Sequence, residues 1–224
     1  PEVGQAIVEH PRIKAISFTG GTSTGAHIAR TTASMFKKLS LELGGKNPAI
    51  IFSDCDFDAA LATTVRSSFA NQGQICLCSS RILIEDRIYD RFRDALIEKV
   101  KRMIPGDPLD EQTKMGAVVS AAHRDKIIQH IELAQSEGGQ LLCGGGTASA
   151  PNNRCKDGFF VAPTVFENLG PNCQLNQQEV FGPVITLQRF YSEDEAIQLA
   201  NATEYGLAAT IWTTDLKKAH RTAA

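Results

Sequence analysis

The chain has 224 residues, of which 42% are hydrophobic and 21% charged, with a formal net charge of −2. This is the balance of a compact globular protein and excludes collagen-like, coiled-coil and disordered chains. The near-neutral charge gives no footprint for nucleic acid or an anionic membrane surface, and no apolar run approaches the roughly 20 residues that span a bilayer.

Six cysteines, at 55, 76, 78, 143, 155 and 173, make neither the framework of a small secreted domain nor a Cys-x-x-Cys pair. The five histidines add no zinc-ligand spacing, so reduced thiols and no metal are expected. The opening Pro1-Glu2-Val3-Gly4 lacks the regions of a signal peptide, and a cytoplasmic or organellar protein acting on small molecules is the expectation.

In chain order, Lys14 to Thr19 reads as a strand that ends at Gly20-Gly21, followed by an alanine-rich helix reaching Met35. Lys38 to Leu43 and Pro48 to Phe52 read as two more strands, and Asp56 caps a helix from Phe57 to about Phe69. A strand at Ile82 to Ile84 precedes an amphipathic helix with Ile88, Phe92, Leu96, Val100 and Met103 at helical spacing. Helix Ala121 to Ser136 stops at Gly138-Gly139 before Leu141-Leu142-Cys143. Phe159 to Phe166, interrupted by Pro163, and Val184 to Phe190 complete the strands, and Ser192 caps a helix at Glu193. Strands alternating with helices predict an α/β architecture with a largely parallel, buried sheet. A Gly-Gly turn makes a boundary near Leu43 to Lys46 plausible.

Cys76 is approached by Asn71-Gln72-Gly73-Gln74, a polar run unusual for a cysteine that only fills a core, although most free cysteines are buried and inert. Exposed to a cleft, its thiolate is a nucleophile. Cys78, on the opposite side of an extended segment, is assigned to packing. Glu42 stands between Leu41 and Leu43 before Gly44-Gly45. Burial there would raise its pKa toward the range of a general base, while a solvated carboxylate is the commoner outcome. Gly20-Gly21-Thr22-Ser23-Thr24-Gly25 joins a strand to a helix, where free N–H groups favour a phosphate, yet it lacks Gly-x-Gly-x-x-Gly spacing. Gln178-Glu179-Val180-Phe181-Gly182-Pro183 could hold a sugar hydroxyl and a flat ring, or be a packed turn.

In their order and context these segments resemble the aldehyde dehydrogenase superfamily over essentially the whole chain. Phe18 to Gly25 resembles the cofactor-binding strand-turn-helix, Leu41 to Pro48 the general-base segment, Phe69 to Cys76 the nucleophile segment and Glu179 to Val184 the nicotinamide-ribose segment. Asn201 to Ala209, "NATEYGLAA", fits as well, and "GQICLCSSR" resembles the muconic-semialdehyde branch.

The resemblance implies an aldehyde dehydrogenase-like α/β fold: residues 1–43 as the end of a Rossmann-like cofactor domain and 44–224 as a parallel-sheet catalytic domain incomplete at its C-terminus. It implies NAD as cofactor, with NADP left open, a small-molecule aldehyde as substrate, and a homo-oligomeric full-length form. Cys76 would attack the aldehyde and Glu42 would activate the water that releases the acid. Gly20, Gly21 and Gly25 would admit the pyrophosphate, the Leu43 backbone would fix the nicotinamide amide, and Glu179 would bind the ribose beside Phe181. The oxyanion-hole amide and adenine-ribose residues of the family precede the matched part, so the chain reads as a fragment with little activity alone.

Three rivals stand beside this reading. A CoA-acylating relative is disfavoured by Glu42, a non-catalytic member by the joint presence of Cys76 and Glu42, and a papain-like hydrolase by the want of a partner histidine.

Overall fold

The computed structural model describes residues 2–224. In chain order they form α1 (Glu2–Glu9), β1 (Ala15–Thr19), α2 (Thr22–Thr32), β2 (Lys38–Glu42), β3 (Asn47–Ile51), α3 (Phe57–Phe69), β4 (Ser79–Glu85) and α4 (Asp86–Lys101). There follow α5 (Ala121–Ser136), β5 (Gln140–Cys143), β6 (Thr164–Glu167), α6 (Gln174–Gln177), β7 (Val184–Phe190), α7 (Glu193–Ala200), β8 (Thr210–Trp212) and α8 (Leu216–Ala223). They divide into two compact units that meet in sequence between Gly44 and Gly45.

In the first unit β1 and β2 pair in parallel, with Thr19 opposite Glu42. The glycine turn is tied to the end of β2 by Gly20 N–H donating to the Glu42 carbonyl at 3.0 Å. Helix α1, absent from the expectations above, rests on α2, where the His27 ring meets Gln5 Oε1 at 2.7 Å.

The second unit is a six-stranded sheet in the order β5-β6-β7-β4-β3-β8, parallel throughout except for β5 against β6. Its central strands alternate between two cores, which is why they read as continuous apolar runs. Ala49, Ile51, Ile82 and Ile84 pack with Leu61, Val65, Phe92 and Leu96 of α3 and α4. Ile50, Phe52 and Leu83 face the other way, onto Phe190 and Ala196. A third cluster joins Ile127, Ile131 and Ala134 of α5 to Phe166 and Val184.

Local signals set the helix ends. Asp56 Oδ1 accepts from Ala59 N–H at 3.1 Å, and Ser120 and Ser192 cap α5 and α7 through His123 and Glu195 N–H, each at 3.2 Å. After α5, Gly138 takes φ +90° while Gly138 and Gly139 N–H bond back to Gln135 and Ala134, a Schellman closure.

The strand expected over Phe159 to Phe166 is shorter than its pattern. Only Thr164–Glu167 pairs as a strand, because the donor-less Pro163 breaks the run and leaves Phe159 and Val161 in isolated bridges. Among the described residues no helix is long and apolar enough to cross a membrane.

Candidate active site

Helix α3 ends in a 3-10 turn, Ala70–Gly73, in which Asn71, Gln72 and Gly73 all carry positive φ (47°, 58° and 70°). Three left-handed residues in succession are costly, and tertiary contacts hold them. A Cβ on Gly73 would sit 2.2 Å from the Gly182 carbonyl oxygen, so only glycine fits where the two loops touch. Gln72 Oε1 accepts from Gly116 N–H at 2.9 Å and its Nε2 donates to the Ala117 carbonyl at 3.1 Å. Gln74 Oε1 accepts from Val119 N–H at 3.1 Å. The polar approach to Cys76 is therefore a pair of amide clasps onto a neighbouring loop.

Cys76 follows on a turn closed by Cys78 N–H donating to the Ile75 carbonyl at 3.0 Å. That turn corrects the expectation for Cys78: the segment is not extended, and both cysteines line one small cavity of about 20 Å³ with Gly45, Lys46, Glu179 and Phe181. Burial raises the Cys78 thiol above its ordinary pKa. The Cys76 N–H donates to no other described residue. Its carbonyl accepts from Asn47 Nδ2 at 2.6 Å, the same amide reaches the Cys78 carbonyl at 3.1 Å, and Asn47 Oδ1 accepts from Ala208 N–H at 3.1 Å. Asn47 thus joins the start of β3, the cysteine turn and the "NATEYGLAA" segment.

Glu179 Oε1 accepts from Gly45 N–H at 3.2 Å. Phe181 has φ +58° and is 39% exposed. Its carbonyl meets His123 Nε2 at 2.7 Å and its ring stands edge-on to the His123 imidazole, 6.3 Å between centroids.

Behind the cavity Arg81, 2% exposed, gives Nε to the Lys46 carbonyl at 2.9 Å and its two terminal nitrogens to the Leu199 and Ala200 carbonyls at 2.7 Å each. Burial draws its pKa down to about 10. Asn47, Arg81, His123 and Lys46 were not singled out in the sequence. Arg81, a charge set against the apolar run Ile82-Leu83-Ile84, was the one local sign of either cation.

Of the expected site residues, the second unit brings Cys76, Glu179 and Phe181 to one cavity. Glu42, Leu43, Gly20, Gly21 and Gly25 belong to the first unit. There Glu42 is exposed, the solvated of the two alternatives the sequence left open. A Cβ on Gly25 would lie 2.4 Å from Leu43 Cδ2, so this glycine seats the Leu43 side chain on α2. Gly21 caps α2 in extended conformation with nothing within 4 Å of an added Cβ, and no side chain caps it. The first N–H groups of α2 are open to an anion there.

The Aldehyde dehydrogenase family model matches residues 1–224. The chain belongs to the aldehyde dehydrogenase family. It is 46% identical over 218 residues to a 2-aminomuconic 6-semialdehyde dehydrogenase of Pseudomonas sp, covering 97% of this chain and 44% of that protein. It is 45% identical over 225 residues to the 2-aminomuconic semialdehyde dehydrogenase of Mus musculus, covering 100% and 46%. Among solved structures, betaine aldehyde dehydrogenase from Staphylococcus aureus in complex with NAD+ superposes with a TM-score of 0.94 at 42% identity, over 99% of this chain and 43% of that one. The chain thus spans less than half the length of these family relatives.

Proposed function

We propose that the protein carrying this chain oxidises an aldehyde to a carboxylic acid with NAD+ as hydride acceptor, and that Cys76 is the nucleophile. The observation that carries the reading is the setting of Cys76: a turn held by Asn47 and the Gln72 and Gln74 clasps places it on the wall of the cavity that Glu179 and Phe181 also line.

The Cys76 thiolate attacks the aldehyde carbon, forming a C–S bond and placing a negative charge on the former carbonyl oxygen. The Cys76 N–H, without an acceptor among the described residues, is available to that oxyanion. NAD+, when bound, accepts the hydride from this carbon. The resulting thioester is cleaved by water that gives its proton to Glu42, and the C–S bond breaks to return the thiolate. A hydrolytic outcome rather than transfer to CoA follows from the presence of Glu42.

The residues present suit the cofactor. The Glu179 carboxylate is a bidentate acceptor for a ribose diol, the exposed Phe181 ring offers a flat apolar face, and the open N-terminus of α2 at Gly21 suits a pyrophosphate. For the substrate we favour a semialdehyde of the muconic type, supported by the similarity to the 2-aminomuconic semialdehyde dehydrogenases.

The experiment is NADH formation from such an aldehyde by the full-length protein. Activity lost in Cys76→Ala with the fold retained supports the reading, and activity retained refutes it.

A further inference from the structure

Phe181 holds a left-handed φ of +58°, which is unfavourable for a bulky residue. Its chain neighbours are anchored on both sides. Val180, 2% exposed, belongs to the cluster of Val118 and Ile127. A Cβ on Gly182 would lie 2.6 Å from Ile127 Cδ1, and the Pro183 carbonyl accepts from Thr164 N–H at 2.8 Å. Between them Phe181 stands 39% exposed, and among the described residues the one hydrogen bond of its main chain is with His123 of α5.

His123 touches Phe181 twice. Its Nε2 lies 2.7 Å from the Phe181 carbonyl oxygen, and because a carbonyl only accepts, the imidazole donates Nε2–H. The same imidazole stands edge-on to the phenyl ring, with 6.3 Å between centroids and 64° between planes. The bond fixes the peptide plane that follows Phe181, and the ring contact limits where the phenyl group can turn.

His123 is itself placed by a helix end that is tied to the nucleophile turn. Ser120 Oγ accepts from His123 N–H at 3.2 Å, and the adjacent Val119 N–H donates to Oε1 of Gln74, two residues before Cys76, at 3.1 Å. The first turn of α5 therefore stands between the two loops, with one clasp on the approach to Cys76 and the other on Phe181.

We propose that His123 is a positioning residue for the Phe181 ring, holding it before any cofactor arrives in the pose that offers its flat face, and in register with the Cys76 turn. The inference rests on the reading of Phe181 as a flat face for the cofactor given above. A ring already ordered does not have to be immobilised on binding, so His123 adds affinity without touching the cofactor.

The test uses the full-length protein in two arms. In the first, without cofactor, 4-fluorophenylalanine is placed at position 181. Its fluorine resonance is one sharp line in otherwise wild-type protein, shifts and broadens in His123→Leu, and returns in His123→Gln, whose amide can donate to the same carbonyl. A resonance that His123→Leu leaves unchanged overturns the inference. In the second arm NAD+ binding is measured by calorimetry. His123→Leu weakens it about fivefold, His123→Gln recovers most of the loss, and in a Phe181→Ala background His123→Leu weakens it no further. An equal loss in that background means that His123 acts on the cofactor directly or through the fold at large, and overturns the inference. Wild-type affinity in His123→Leu while Phe181→Ala binds weakly overturns it too. If the first arm holds and Phe181→Ala alone binds NAD+ as tightly as wild type, the flat-face reading of Phe181 falls, and the cofactor role of His123 with it.

Discussion

The side-chain amide of Asn47 donates to the Cys76 carbonyl at 2.6 Å, although 29 residues separate the two. With its second donation to the Cys78 carbonyl and its acceptance from Ala208 N–H, one amide fixes the backbone at the thiol and just after it. Asn47→Ala strands two carbonyls and an N–H in a partly buried place. It should cost about 1–3 kcal/mol in urea unfolding and, by loosening the nucleophile, about a hundredfold in kcat/KM. Asn47→Asp keeps the acceptor for Ala208 but sets a carboxylate oxygen against the Cys76 and Cys78 carbonyls, and should be at least as destabilising as Asn47→Ala.

Gly73→Ala meets two obstacles at once, a φ of +70° and a methyl group 2.2 Å from the Gly182 oxygen. Because the obstacle is backbone and not a movable side chain, the loops must part. The expected loss is upward of about 2 kcal/mol in chemical denaturation, with kcat lowered because Gly182 belongs to the Glu179–Pro183 segment. Gly21→Ala, whose added Cβ meets open space, should leave stability nearly unchanged.

Arg81→Met removes a guanidinium that serves three carbonyls at 2.7–2.9 Å. Leaving them unpaired in the core should cost about 3 kcal/mol or more, measured by denaturant midpoint at constant m. Arg81→Lys supplies the charge but not the fork and should recover little of it.

Lys46 gives a pH dependence whose sign is fixed. Its pKa is near 10.5 in the unfolded chain and about 7 in the fold, so between these values the unfolded chain binds the extra proton. The Lys46 contribution to stability therefore rises with pH from about 7 toward 10.5 and is flat below. Lys46→Met should flatten the stability profile of the wild type over that window in unfolding titrations run at fixed ionic strength.

The second unit was largely legible because its signals are local. The apolar run of β3, the helical spacing of Phe92, Leu96 and Val100, and the caps Asp56 and Ser192 each lie within a few residues of what they specify. β8 was missed because three residues on a sheet edge carry too little pattern. The site was legible in its nucleophile but not in its support. Asn47 meets Ala208 across 161 residues and Gln72 meets Ala117 across 45, pairings to which no spacing in the chain points. The polar run before Cys76 signalled loop pairing as well as an approach to a cleft. Of the two outcomes left open for Glu42 the commoner, solvated one holds, because flanking leucines bury a strand carboxylate only when that strand is covered, and the Glu42 end of β2 is exposed.

The most direct test is the mass of Cys76 during turnover. The full-length Glu42→Gln protein, mixed with aldehyde and NAD+ and quenched in acid, should carry one acyl group on the peptide containing Cys76, with NADH formed in a burst equal to that group and little thereafter. An unmodified Cys76, an acyl group on Cys78 in its place, or steady turnover at the wild-type rate would contradict the assignment of nucleophile and base.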